Sequence, residues 1–256
     1  MQKRESVNQQ FLGLLDSVAA HLHSLKEEGA SSIVADPETV RRLGSAPIMP
    51  APPPRKEPAR QQDHGGTGGS LKDIAAQVAG CTKCPLHKTR TRTVPGQGSA
   101  TPEIMFIGEG PGYDEDQQGL AFVGRAGQLL TKIIEAMGLT RDEVFIGNIV
   151  KCRPPENRKP LPDEMSACLP YLRAQIEQLK PKLIVALGAT AVQGLLQIET
   201  VGITKLRGQW MSYQGIDLMP TFHPAYLLRN PPAKREVWED MKAVLAKLGK
   251  TPPKRG

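Results

Sequence analysis

Residues 103–116 read Glu-Ile-Met-Phe-Ile-Gly-Glu-Gly-Pro-Gly-Tyr-Asp-Glu-Asp, and this stretch decides the fold. Ile104–Ile107 is a short, unbroken apolar run, the pattern of a strand buried on both faces. It runs into a loop carrying Gly108, Gly110 and Gly112, where a backbone can approach a ligand closely and expose its N–H groups. Strands buried on both faces belong to parallel sheets covered by helices, and such sheets bind ligands beyond the carboxyl ends of their strands. The loop matches neither a dinucleotide-binding fingerprint nor a Walker loop, because no Gly-Lys-Ser/Thr follows. Glu109, Asp114, Glu115 and Asp116 also argue against a cradle for free phosphate. Taken alone, the loop is equally well explained as a tight structural turn.

Working outward, Val144–Ile149, Leu183–Leu187 and Ile216–Pro220 read as further strands. Helical patterns fill the gaps at Gly124–Met137, Pro162–Gln178, Ala189–Leu196 and Pro232–Leu248. Pro162-Asp-Glu is a good helix opening, with acidic residues at the positive end of the dipole. Strands alternating with helices predict an α/β fold, a three-layer sandwich around a mostly parallel sheet, over residues 71–248.

The remainder of the chain reads differently. Residues 45–70 contain ten Pro or Gly and no apolar periodicity, which predicts a linker. Residues 1–44 form a mainly disordered N-terminal extension with one amphipathic helix, marked by Phe11, Leu14, Leu15, Val18, Leu22 and Leu25. That helix has no domain of its own, which leaves it free to dock on the main domain or to bind an unidentified protein partner. The basic tail, 249–256, is expected to fray. Residues 1–70 hold eight basic and eight acidic residues, so the net charge of +7 sits on residues 71–256. That excess favours a polyanionic partner, with a slightly basic solvated surface as the plain alternative. No apolar run is long enough to span a bilayer, and the start Met-Gln-Lys-Arg-Glu-Ser lacks an apolar signal core, so a cytoplasmic protein is expected.

The four cysteines are Cys81, Cys84, Cys152 and Cys168, spaced Cys-x2-Cys, 67 residues, Cys-x15-Cys. A cytosolic chain is not expected to form disulfides, and a close pair points to metal or redox chemistry. A redox pair should end a strand and enter a helix, whereas Ala-Gly-Cys-Thr-Lys-Cys-Pro-Leu is loop-like. Zinc and a [4Fe–4S] cluster both take four thiolates. The wide second spacing suits the bulkier cube better than a zinc ribbon, with zinc left open.

Two polar residues end other buried strands, Asn148 and His223, and both are aimed at the same rim of the sheet. Residues 71–256 contain two histidines, His87 and His223, so a histidine at that rim is informative.

Cys81-x2-Cys84, Gly108-Glu-Gly-Pro-Gly112, Phe122-Val-Gly-Arg-Ala-Gly-Gln-Leu-Leu130, Asn148-Ile-Val-Lys-Cys-Arg-Pro-Pro155 and His223-Pro-Ala-Tyr-Leu-Leu228 occur in that order. Over residues 71–248 this series resembles the family 4 uracil-DNA glycosylases, the bacterial and archaeal type with a [4Fe–4S] cluster. The resemblance implies a DNA repair glycosylase that hydrolyses the N-glycosidic bond of deoxyuridine, with Cys81, Cys84, Cys152 and Cys168 holding the cluster.

The base must be flipped out of the stack and read on its Watson–Crick edge. The resemblance makes Asn148 the reader, Phe122 the stacking face and His223 the donor to uracil O2, with backbone groups at Gly110 and Gly112 assisting. Glu109 is implied to position water or stabilise the cationic sugar, while Tyr113 and Glu115 shape the pocket. Related families carry an aspartate where Gly110 stands, which leaves the general base open. A cluster-bearing variant that is trapped on DNA through a histidine is not matched, because Ile149–Ala167 contains none. The DNA surface is expected to comprise Arg125, Lys151, Arg153, Arg158, Lys159, Arg207 and Arg229, with a wedge near Leu227–Arg229. The partner is uracil-containing DNA, single- or double-stranded, bound by a monomer. The competing reading is a non-catalytic iron–sulfur DNA-binding or polymerase-associated module.

Overall fold

Alternate residues of β2, Ile104–Gly108, enter two different cores. Met105 and Ile107 point to one face of the sheet, and Ile104 and Phe106 to the other. A computed structural model describes residues 70–198 and 202–253, within the second of two units that divide at His64–Gly65. The expected N-terminal helix and the linker up to residue 69 lie outside the described residues.

The sheet has six strands in the order β1-β3-β2-β4-β6-β5. The inner four, β3 (Phe145–Asn148), β2, β4 (Leu183–Leu187) and β6 (Ile216–Thr221), run parallel. Short antiparallel edges, β1 (Gln97–Gly98) and β5 (Met211–Tyr213), close the two sides. They are too short to show in the hydrophobic pattern. The chain steps from β2 outward to β3 and then crosses back to β4 on the opposite side. That switch opens a crevice above the carboxyl ends of β2, β3, β4 and β6.

One face is covered by α1 (Leu71–Ala79), α4 (Pro162–Leu179) and α5 (Ala189–Leu196). The other is covered by α3 (Arg125–Ala136), α7 (Pro224–Arg229) and α8 (Lys234–Lys247). Two short helices, α2 (Tyr113–Gln118) and α6 (Ile203–Leu206), complete the set among the described residues. Ile74 and Val78 of α1 join the same core as Leu172 and Ile176 of α4. The three-layer α/β sandwich is therefore the observed architecture. In the described part of the tail, Lys250 pairs with Glu103, which also binds Lys182 at 2.7 Å, and Pro253 packs over Gly138.

Candidate active site and cysteine cavity

A cleft of about 650 Å³ lies beyond the carboxyl ends of the parallel strands. Its wall includes Glu109, Gly110, Gly112 and Glu115 from the loop after β2, together with Phe122, Asn148 and His223. Gly108 decides how closely these groups approach. A Cβ at that position would stand 2.5 Å from both Asn148 Oδ1 and the Phe122 ring. Glycine therefore lets the amide and the ring meet across the strand end.

Asn148 ends β3 and is 1% exposed, yet among the described residues its Oδ1 has no hydrogen-bond partner. An orphaned buried acceptor costs roughly 1–3 kcal/mol, so a polar ligand is the expected partner for it.

Phe122 has a backbone φ of 54°. An aromatic residue in the left-handed region is strained, and such strain persists only where the surroundings enforce it. Glu115 supplies part of that enforcement. Its Oε1 accepts from the N–H groups of Val123 and Gly124, each at 2.8 Å, and its Oε2 accepts from Gly112 at 3.1 Å. Arg141 holds the other side of the turn, donating to the carbonyls of Phe122 at 3.1 Å and Ala121 at 2.6 Å. Gly127 completes the fit, because a Cβ there would fall 1.9 Å from the Phe122 carbonyl oxygen. Glu115 and Gly112 thus shape the pocket through the turn that carries Phe122. Both line the cleft, but the carboxylate and the Gly112 N–H are engaged with each other and with the Phe122 turn.

His223 precedes α7 and caps it, its Nδ1 accepting from the Ala225 N–H at 3.1 Å. An imidazole that accepts at Nδ1 carries its proton on Nε2, the nitrogen left to face a ligand. Desolvation, aided by the nearby Arg229, lowers its pKa to about 4. At neutral pH the cleft therefore contains an uncharged histidine with one N–H to give. The Phe122 ring lies 5.7 Å from it, centroid to centroid.

A second cavity, near α1 and α4, is lined by all four cysteines, with Arg90, Lys151 and Tyr171 beside them. Arg90 donates to Cys152 Sγ at 3.2 Å and to the Cys81 carbonyl at 2.8 Å, and the Lys151 N–H donates to Cys168 Sγ at 3.2 Å. Burial pushes the Cys84 and Cys152 thiols up and Cys168 to about 12. Donors aimed at sulfur together with hard-to-ionise thiols suit a set whose charge a metal centre draws out. Among the described residues no three such side chains stand close enough to hold one ion. Four cysteines around one cavity, with N–H donors on two of the sulfurs, fit a thiolate-ligated metal centre.

The model of the uracil DNA glycosylase superfamily matches residues 95–242. The type-4 uracil-DNA glycosylase of Thermotoga maritima is 50% identical over 163 residues, covering 62% of this chain and 84% of that protein. Type-4 enzymes of Saccharolobus solfataricus and Archaeoglobus fulgidus are 46% and 41% identical, each over 72% of this chain and over 88% and 96% of their own length. The chain belongs to the type-4 uracil-DNA glycosylases.

In this glycosylase the cations expected on a DNA surface divide into two groups. Arg125, Lys159 and Arg229 are exposed, and Arg229 lines the cleft. Arg153 is held by Asn157 Oδ1 at 2.8 Å and lies 5.1 Å from the Tyr113 ring centroid. Arg158 lines the cleft while pairing with Glu164 at 2.7 Å. Two expectations are corrected. Lys151 is 1% exposed, with its ammonium bonded inside the protein, so it cannot reach a phosphate. Arg207 is tied to Asp240 at 2.6 Å and to the Glu236 carbonyl at 2.6 Å, next to the Thr221–Asp240 hydrogen bond below His223. Lone cations in a sequence read as surface, whereas the side chains that engage these two, Gln175 and Asp240, come from distant segments.

Sequence reasoning also missed Arg141 and Asn157. Arg141 carries no local signal. Asn157 does: Pro-Pro-Glu-Asn is a turn composition, and Glu156 and Asn157 both adopt φ near 55°.

Proposed function

We propose that the cleft receives a uracil flipped out of DNA and hydrolyses its N-glycosidic bond, releasing uracil and leaving an abasic site. The observation that carries this reading is the unpartnered Asn148 Oδ1, buried in a cleft whose other wall is a neutral histidine donor. Oδ1 accepts from uracil N3–H and the amide nitrogen donates to O4, so cytosine, with the reverse polarity, is refused. Phe122 supplies the stacking face.

As the bond between C1′ and N1 breaks, its electron pair passes to the uracil ring and charge gathers on O2. The His223 Nε2–H, already in place and uncharged, stabilises that charge without giving up its proton. Gly110 lies alongside with its N–H available. Glu109 opposes the cationic sugar and orients the water whose oxygen bonds to C1′, and the proton which that water sheds neutralises the departing uracil anion. A non-catalytic binding module has no use for a buried, orphaned amide.

Cys81, Cys84, Cys152 and Cys168 would hold a [4Fe–4S] cluster, which would supply structural cross-linking between α1, α4 and the segment after β3. Exposed Arg125, Lys159 and Arg229, with Arg153 and with Arg158 at the cleft, provide phosphate contacts that are independent of sequence. We assign the chain to the cytoplasm as a monomer, with residues 1–44 as an extension open to a protein partner. Among the described residues no helix is long and apolar enough to cross a membrane.

The test is incubation of the purified chain with duplex and single-stranded DNA carrying one uracil, followed by alkali. Strand cleavage at the uracil and none at thymine is expected. No cleavage of either substrate at any salt concentration would overturn the reading. Anaerobic protein should also be brown, with about four irons per chain.

A further inference from the structure

Lys151 is a buried charge that the chemistry above does not use. Enclosing an ammonium costs several kcal/mol unless its donors are satisfied. Here they are placed with care: Nζ donates to the backbone carbonyl of Asn148 at 2.9 Å and to Gln175 Oε1 at 2.7 Å. Gln175 is itself buried in α4, and its Nε2 donates to the Pro95 carbonyl at 2.7 Å. The same lysine forms part of the wall of the cysteine cavity, with its own N–H on Cys168 Sγ.

Four residues, Asn148 to Lys151, therefore span the distance between the two cavities. The Asn148 side chain has an unbonded Oδ1, so its position depends on the backbone that carries it. The lysine ammonium grips that backbone at the carbonyl of the same residue.

We propose that Lys151 is a positioning residue for uracil recognition, clamping the end of β3 from inside the cysteine wall so that the Asn148 amide meets the base edge. The inference rests on the uracil-excision reading of the cleft. An amide that reads a base by donor and acceptor polarity tolerates little tilt, and misplacement of a reacting group by about 1 Å costs about 10²-fold.

The decisive experiment is a double-mutant cycle on the full chain with its iron content and visible absorbance checked. Lys151→Met keeps the stem and removes the donors. Single-turnover uracil excision should slow about 10²-fold in the wild-type background and less than about threefold in the Asn148→Ala background, because the residue through which Lys151 acts is gone. Binding to undamaged duplex should not change. Equal losses in both backgrounds, or no loss in the first, would overturn the clamp and leave Lys151 as a structural element.

If Lys151→Met does not fold, Gln175→Met carries the same cycle, with about a tenfold loss expected for one hydrogen bond to a charged group. A readout free of the chemistry separates this proposal from the one it rests on. The isotope-labelled side-chain amide signal of Asn148, identified by its loss in Asn148→Ala, should move in Lys151→Met. An unmoved signal would sink the clamp even if the wild type excises uracil. A moved signal would support it even if the wild type does not.

Discussion

The Phe122 ring and the His223 imidazole stand 5.7 Å apart, centroid to centroid, with their planes tilted by 35°. That separation leaves no room for a base between them. A flipped base must therefore lay its face on the phenyl ring and turn its O2 edge toward the imidazole. The two residues come from distant parts of the chain, one from a strained turn before α3 and the other from the end of β6. Their meeting explains why each is held so firmly by groups that touch no substrate.

His223→Ala removes the donor at which charge develops. The excision rate should fall about 10²–10³-fold while affinity for undamaged DNA changes little, read by single-turnover kinetics and equilibrium binding. The pH dependence carries a sign of its own. A pKa near 4, below the ordinary value of about 6.5, means that the folded state favours the neutral ring. Protonation would put a hydrogen on Nδ1, against the Ala225 N–H. The His223 contribution to rate should hold at neutral pH and fall only as pH drops through about 4. Stability should decline from about pH 6.5 toward pH 4, where the unfolded chain takes a proton that the folded one refuses. An inflection of the excision rate near pH 6.5 that disappears in His223→Ala would contradict the assignment.

Gly108→Ala tests the strand end directly. The added methyl would stand 2.5 Å from Asn148 Oδ1 and from the Phe122 ring, so both groups must shift. Overpacking of this kind costs about 1–3 kcal/mol. The larger effect should be on uracil, because the displaced groups are the reader and the stacking face. Excision should fall at least 10²-fold in protein that still melts cooperatively, and wild-type turnover in this variant would show that the site is misplaced.

Much of this is legible in the sequence, for reasons that differ by element. Leu183–Leu187 and Ala189–Leu196 are found at the residues the pattern predicts, since an unbroken apolar run and a helical stripe report burial directly. Ile104–Gly108 and Phe145–Asn148 shift by a residue at their ends, where the strand pattern merges into loops. Tyr113–Gln118 is hidden because its sequence, Tyr-Asp-Glu-Asp-Gln-Gln, has no apolar face, and Glu115 is held in its buried place by backbone N–H groups 8 and 9 residues away. Lys151 and Arg207 mislead for the same reason: the partners that bury them, Gln175 and Asp240, lie 24 and 33 residues distant.

Glu115→Ala should act through Phe122. It leaves three backbone N–H groups, those of Gly112, Val123 and Gly124, without their acceptor, and Gly124 caps α3. A loss of about 3 kcal/mol is expected, which lowers the melting temperature by roughly 6–12 °C in a domain of this size. Glu115→Gln should fare little better, because one amide NH₂ must then face an N–H donor. Excision should fall in both variants without a change in the preference for uracil over cytosine, since Asn148 is untouched. An altered base preference would instead place Glu115 on the substrate.

The last prediction concerns where the enzyme begins. Among the described residues, those that line the cleft and the cysteine cavity lie between Val78 and Arg229, so removal of residues 1–69 should leave excision, iron content and the salt dependence of DNA binding intact. The cut must spare Ser70. Its Oγ accepts from the Asp73 N–H at 3.4 Å while the Asp73 carboxylate accepts from the Ser70 N–H at 2.7 Å, closing the first turn of α1. That helix buries Ile74 and Val78 in the core that also takes in Cys81 and Cys84. A chain starting at Leu71 would lose the cap, worth about 1 kcal/mol, and loosen the helix that leads into the first two cysteines. A chain starting at Ser70 should match the full-length protein in melting temperature and iron retention, and the one starting at Leu71 should melt roughly 2–4 °C lower. Loss of excision in the chain that starts at Ser70 would show that residues 1–69 belong to the catalytic machinery.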